Sequence, residues 1–337
     1  MERAQFGRTG LEVTPICLGA MNFGAPDWGC DAAEAAEIVA TFRDAGGNFF
    51  DTANIYGLGE SERLLGAMLA DSRDEMVIAS KVGFPSPQGG PGGLSPQNLR
   101  ASLEGTLERL GTTYLDVYQL HAYDASVPLD ETLGGLRELV DEGLVRHAGC
   151  SNFFAWQISH AQTIAQAQGW SGVVSAQMMY NLIRRDLERE HFGCAAATGV
   201  ALIAYSPLHG GQLAAAWRSP DDLPPDSRAA QNPDVYLSDA ERVFTVTTSL
   251  VEHAERIGAT PGQVALAWVL RNPAIAATLT AARSAGELTE QLRALDLDAD
   301  DAFWASLDEA TALPLSYPTD FYDRLRARTP AAAVDER

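Results

Sequence analysis

Residues 48–69 read NFFDTANIYGLGESERLLGAML. The stretch opens on an apolar, strand-like pair, Phe49 and Phe50, and that run ends on Asp51. A loop carrying Tyr56 and Gly57 follows. Ser61 and Glu62 then open a helical pattern with apolar residues at Leu64, Leu65, Met68 and Leu69. Strand, loop and helix in so short a span form the repeating unit of parallel α/β proteins. Such proteins gather their chemistry at the C-terminal tips of strands, where Asp51 stands with a phenol just beyond it. Each residue alone also has an ordinary reading, the aspartate as a helix cap and the tyrosine as a packed ring.

The next strand-like run, Met76 to Lys81, ends on a second polar tip. The chain holds 24 lysines and arginines, and all except Lys81 are arginine. A surface charge can be supplied by either type. A solitary ammonium therefore points to a role that a planar guanidinium cannot fill.

Outward from these two tips the same rhythm continues. Strand-like runs lie at 16–19, 48–51, 76–81, 115–121, 145–150, 173–177, 201–205 and 276–280. Helical stretches separate them. Ser95 and Pro96 supply an N-cap and first-turn proline for a helix that closes at Gly111. Asp130 opens one that stops at Gly143, and Thr260-Pro261 opens one rich in Ala, Val and Leu around Trp268. A hairpin precedes them all, over Ala4 to Val13, turning at Arg8-Thr9-Gly10. About eight strand–helix units is the count of a closed (β/α)₈ TIM barrel, with a doubly wound sheet as the alternative. No linker divides the chain, so a single domain over 1–337 is expected. Two segments break the rhythm: the Gly/Pro loop 83–94, and a long loop over 206–239. Both follow strands and belong on the C-terminal rim. A tail is expected over 312–337, disordered at its end.

Bulk properties narrow the function. A net charge of -21 repels phosphate backbones and anionic lipid, which argues against nucleic-acid and membrane-surface partners. With 46% hydrophobic residues the chain has ample core, yet no apolar run approaches the ~20 residues of a membrane span. The start MERAQFGRTG lacks the apolar region of a signal peptide, so a cytoplasmic location is expected. The four cysteines are scattered without a C-x-x-C, which indicates neither a metal site nor a disulfide framework.

The polar residues at strand tips are Asp51, Lys81, His121, Ser151-Asn152, Gln177 and Tyr205, with Tyr56 close behind the second strand. In a barrel they converge on one face. A class I aldolase would also place one lysine there as a Schiff-base nucleophile, but that chemistry leaves Asp51 and Tyr56 without a role. GLGESE (57–62) fails the G-x-G-x-x-G pattern, because Glu62 stands where the third glycine belongs.

Read together, LGAMNFG (18–24), GGNFFDTANIYGLGESERLLG (46–66), VIASK (77–81), RLGTTYLDVYQLHAYD (109–124), GLVRHAGCSNF (143–153), SAQMMYNLIRR (175–185), ALIAYSPLHGG (201–211), PGQVALAWVLRNP (261–273) and AARSAGEL (281–288) resemble the aldo-keto reductases. The likeness runs over nearly the whole chain and is greatest to the aryl-alcohol dehydrogenase and potassium-channel β-subunit branch. It implies an oxidoreductase that interconverts carbonyls and alcohols by hydride transfer, or alternatively a nicotinamide-binding regulatory subunit with slow turnover. The catalytic set it implies is Asp51, Tyr56, Lys81 and His121. A free phenol titrates near ~10, and a buried ammonium beside Tyr56 would lower that value. The implied cofactor is NADPH, with NADH possible. Gly19, Ala20 and Met21 would contact it, Ser151, Asn152 and Gln177 would hold the carboxamide, and Tyr205 would stack on the ring. Ser206, Leu208 and Gly210 would line the pyrophosphate. Arg283 would meet the 2′-phosphate, and Gln291 would lie near the adenine. Trp28, Phe84 and Phe153 are candidates for the substrate wall, with Phe154, Tyr317, Phe321 and Tyr322 as further apolar residues. A metal is not expected.

Overall fold

A computed structural model describes residues 1–26, 28–85, 90, 92–225 and 227–328, with the side chains of 323 and 326–328 outside the described set. Two short strands, β1 (Ala4–Gln5) and β2 (Glu12–Val13), pair antiparallel as the expected hairpin. Eight parallel strands follow: β3 (Ile16–Gly19), β4 (Phe49–Asp51), β5 (Val77–Val82), β6 (Leu115–Leu120), β7 (Val145–Ser151), β8 (Val173–Met179), β9 (Ala201–Tyr205) and β10 (Ile275–Thr280). β10 pairs with β9 on one side and with β3 on the other, Thr278 facing Ile16. The sheet is therefore closed into a (β/α)₈ barrel, which sets aside the open doubly wound alternative.

Local sequence explains the surrounding helices. Asp31 accepts from the amides of Ala33 and Glu34, while Glu34 reaches back to the Asp31 amide, a capping box that starts the helix Ala32–Asp44. Ser95 caps Pro96–Leu110, and that helix ends at Gly111 in the left-handed region, as expected from sequence. Thr260 and Gln263 form a second capping box ahead of Pro261–Leu270. The helix expected to open at Asp130 begins one residue earlier, at Leu129, behind Pro128.

The barrel interior is divided by polarity. Phe49, Val77, Val117, Ile203 and Ala277 fill its N-terminal half, and Phe6 and Val13 of the hairpin region pack beneath them. Phe6 meets Phe49 edge-on at 5.5 Å, a contact worth about 0.5–1.5 kcal/mol beyond its buried area. The hairpin thus plugs one end with hydrocarbon. The other end is left for polar side chains.

The long rim loop is more ordered than its composition suggests. Between β9 and the helix Ala240–Ile257 it folds into short turns, including Arg228–Gln231 capped by Ser227 and Pro233–Tyr236 opened by a proline. Of the Gly/Pro loop 83–94, positions 86–89 and 91 lie outside the described residues. The tail carries a helix at Thr319–Arg328, and residues 329–337 lie outside the described residues. Among the described residues no helix is long and apolar enough to cross a membrane.

Candidate active site

Asp51 ends β4 and Lys81 lies one residue before the end of β5, and each is about 1% exposed. Their side chains form an ion pair through Lys81 Nζ and Asp51 Oδ1. A buried pair of this kind survives only if its remaining hydrogen-bonding capacity is met. It is met on both sides. Lys81 Nζ also donates to the Thr52 carbonyl at 3.0 Å and to Tyr56 Oη at 3.3 Å, so its three protons face three acceptors. Asp51 Oδ2 accepts from Gln119 Nε2 at 2.9 Å and from Gln177 Nε2 at 2.7 Å.

Tyr56 reaches Lys81 because the chain turns sharply after it. Gly57 adopts φ +53°, and a Cβ there would lie 2.9 Å from the Phe23 carbonyl, so only glycine allows this turn. Burial pushes the Tyr56 phenol above its ordinary value, and the Lys81 charge opposes that push without overcoming it. The net downward shift expected from sequence is therefore corrected, because closing the barrel around the phenol penalises its anion more than one ammonium helps. Burial likewise favours loss of the Lys81 proton, but Asp51 and Tyr56 together hold its pKa above the usual lysine value.

His121 follows β6, its ring edge-on to Tyr56 at 5.9 Å and to Phe84 at 4.6 Å. Burial, aided by the Lys81 charge, holds its pKa down at about 3, and its Nδ1 is buried without a hydrogen-bond partner. The ring is thus neutral over the working pH range of most enzymes. Turnover is expected to show no inflection between about pH 6 and 7, where an unperturbed imidazole titrates. A pH–rate profile with a step there would place a titrating proton on the site.

The residues expected to serve a cofactor lie along the same rim. Gly19 ends β3, and the amide of buried Ala20 donates to the Asp51 carbonyl at 2.8 Å. Ser151 ends β7. Asn152, at φ +57°, donates to the His121 carbonyl at 2.9 Å and Ser151 Oγ at 3.0 Å, and accepts from Tyr205 Oη at 2.8 Å. Asn152 is accordingly engaged at both ends of its amide, which leaves Ser151 and Gln177 as the groups with capacity to spare. Ser206 bends the chain at φ +52°, its carbonyl held by Asn181 Nδ2 at 2.9 Å. Leu208 caps the next turn, and Gly210, at φ +67°, sits so close to the Tyr236 ring that a Cβ would approach it to 2.8 Å. Arg283 is 77% exposed, 3.9 Å from Glu287. Gln291 is buried, with Oε1 accepting from Thr280 Oγ1 and Nε2 donating to the Ala281 carbonyl at 3.1 Å, so both its ends are taken up within the chain.

Among the wall residues, Trp28 and Phe84 are each 42% exposed at the mouth. Phe153 is 1% exposed and packs edge-on against Tyr123 at 5.4 Å, while its neighbour Phe154 faces solvent. Both rings lie past the end of β7, where no strand alternation tells an inward side chain from an outward one in the run SNFF. Tyr317, Phe321 and Tyr322 are exposed in the tail, where Phe321 lies 6.5 Å from Tyr317 and edge-on to Tyr322 at 5.8 Å.

Two residues at the site were missed in the sequence. Gln119 lies on β6 two positions before His121, which follows the strand, and the two-residue period directs it to the same inward side, a signal that was legible. Arg228 comes from the 206–239 loop. Its guanidinium donates to Tyr236 Oη at 2.8 Å and to Met21 Sδ at 3.7 Å and lies 5.2 Å from the Trp28 ring. Nothing periodic in the loop marks it.

An ion-paired lysine beneath a tyrosine thus stands on the C-terminal face of a parallel eight-stranded barrel, the face where such barrels carry their active sites. The family model described as Aldo/keto reductase family matches residues 15–312. An uncharacterized oxidoreductase, YrpG, of Bacillus subtilis (strain 168) is 34% identical over 321 residues, covering 92% of this chain and 95% of its own. The versiconal hemiacetal acetate reductase of Aspergillus parasiticus is 32% identical, covering 81% of this chain and 86% of its own. A probable voltage-gated potassium channel subunit beta of Oryza sativa subsp. japonica is 31% identical, covering 88% and 92%. The chain belongs to the aldo/keto reductase family and is an NAD(P)H-dependent oxidoreductase acting on carbonyl compounds.

Proposed function

We propose that this chain prefers NADPH and interconverts aldehydes or ketones with alcohols, with Tyr56 as the general acid and base. The observation that carries this reading is Lys81 Nζ, held between the Asp51 carboxylate and Tyr56 Oη at 3.3 Å. The site also fits a nicotinamide carboxamide. Ser151 Oγ accepts from Asn152 and keeps its own proton to donate, while Gln177 Nε2 is committed to Asp51 and keeps Oε1 to accept. One donor beside one acceptor matches an amide's carbonyl and amino ends.

When bound, the nicotinamide supplies the hydride for reduction or accepts it for oxidation. Tyr56, a neutral phenol because burial raises its pKa, donates its proton to the carbonyl oxygen. The phenolate left behind sits against the Lys81 ammonium, and Asp51 keeps that ammonium charged in a dry site. Neutral His121 can orient the carbonyl as a hydrogen-bond donor without competing for the proton. Trp28 and Phe84 form an apolar mouth suited to a hydrophobic substrate flank. Reduction should persist through neutral and mildly alkaline pH and fall as pH rises through the Tyr56 pKa, since the acid is lost above it. Oxidation should have the opposite slope.

Fluorescence titration with NADPH and NADH, followed by a panel of small aldehydes and ketones, tests the reading. Tight binding with negligible turnover across the panel would favour a sensing subunit over an enzyme of these substrates. Cofactor choice has its own test. Arg283 is our candidate for the 2′-phosphate, and its head is 77% exposed, with Glu287 3.9 Å away. Arg283→Ala should weaken NADPH by about 1.5–3 kcal/mol and leave NADH nearly unchanged. An equal loss for both cofactors would assign Arg283 a structural role.

A further inference from the structure

We propose that Gln119 is a positioning residue that couples the Asp51–Lys81 pair to Gln177, fixing Gln177 as a hydrogen-bond acceptor toward the cofactor. This role rests on the nicotinamide site proposed above and adds a residue to it.

The capacity of each atom fixes the arrangement. A carboxylate can only accept, so the two glutamines that meet Asp51 Oδ2, at 2.9 Å from Gln119 and 2.7 Å from Gln177, must both present their amino ends. The Gln119 carbonyl then has one neighbour to serve, the second proton of Gln177 Nε2, 3.5 Å away. Both Gln177 amino protons are thereby directed, one to Asp51 and one to Gln119. What remains of Gln177 is Oε1, an acceptor, with no protein hydrogen bond to it among the described residues. Without Gln119, Asp51 would still keep the Gln177 amino end toward it, but through a single bond about which the amide could rotate, swinging Oε1 off its direction.

The position of Gln119 supports this role over simple packing. It is fully buried on β6, in register with Lys81 on β5 and Gly149 on β7. A Cβ at Gly149 would come to 3.0 Å from Gln119 Cγ, so glycine makes room for the side chain to cross the barrel. The interior here is a small polar layer above the apolar plug, and a polar side chain in such a layer is stable only when both of its ends are used. Both ends of Gln119 are. It links three strands, with Asp51 on β4 and Gln177 on β8, and contacts no solvent.

The test uses the full chain with two variants. Gln119→Met removes the donor and acceptor at nearly constant volume. NADPH affinity, read by fluorescence titration, is expected to fall about three- to tenfold, and turnover to fall further, since both Asp51 and Gln177 lose a partner. Gln119→Glu is the second variant and carries the discriminating readout. While protonated, the introduced carboxyl can donate to Asp51 Oδ2 and restore affinity. Once ionised it opposes Asp51, so NADPH affinity and turnover should drop together as pH rises, at an inflection below the fall in turnover that Tyr56 gives the wild-type protein. The titratable groups facing that position are Asp51 on β4, Lys81 on β5, Cys17 on β3, and Tyr56 and His121 above, and the wild-type titration controls for all of them. Unchanged NADPH affinity in Gln119→Met, or a Gln119→Glu profile parallel to wild type, would overturn the role. A wild-type protein that binds neither NADPH nor NADH would instead overturn the nicotinamide reading, and this inference with it.

Discussion

Replacing Tyr56 with phenylalanine is expected to leave NADPH binding near its wild-type value and to lower carbonyl reduction by ~10²–10⁴-fold, the range of a lost general acid. Geometry separates the two effects. Tyr56 Oη is a single atom that meets Lys81 Nζ at 3.3 Å, and the ring itself packs edge-on to His121. Phenylalanine keeps the ring and removes only the oxygen. Lys81 then loses one of three acceptors but keeps Asp51 and the Thr52 carbonyl, so the ion pair and the fold should stand. The defect should therefore fall on the chemical step, with kcat reduced and the cofactor dissociation constant unchanged. Near-normal kcat in this variant would remove Tyr56 from the chemistry.

The second large effect concerns the solitary lysine. Lys81→Arg should fail to support turnover, although arginine carries every other basic charge of the chain. Lys81 directs its three protons at Asp51 Oδ1, the Thr52 carbonyl and Tyr56 Oη, which lie around a point. A guanidinium presents its protons in a plane and is larger, so it cannot reach all three without displacing one. At this position, about 1% exposed, there is no solvent into which the excess can move. We expect a loss of at least about 10²-fold in kcat, comparable to removing one preorganised charge-stabilising donor from an active site. Lys81→Met should be worse for the fold than for the count of bonds, because it leaves the Asp51 charge buried and unpaired, at a cost of ~3–5 kcal/mol. Thermal unfolding of both variants separates the two effects: arginine should keep most of the stability and methionine should not. Wild-type kcat in Lys81→Arg, with an unshifted pH profile, would show that a charge alone suffices.

The identities of Asp51, Tyr56, Lys81 and His121 were legible in the sequence, because each stands at or just past the end of an apolar run and strand ends converge in a barrel. The hairpin, the caps at Ser95 and Thr260, and the stop at Gly111 were legible for a related reason: they are set by residues within a few positions of one another. Gln119 could have been read by the two-residue period of its strand.

Tertiary structure decided the rest. Closure of the sheet depends on β10 meeting β3, residues at opposite ends of the chain, which no local pattern records. Phe153 and Phe154 look alike in sequence, and only the packing of Tyr123 determined which one is core. Arg228 reaches Met21 and Trp28 because a long loop folds back over the rim. The direction of the Tyr56 shift was also a tertiary matter. Sequence names the ammonium that lowers the pKa, but the burial that raises it comes from everything packed around the phenol, and burial is the larger effect. Side-chain chemistry and local periodicity are written residue by residue, whereas burial and long-range convergence exist only once the barrel has closed.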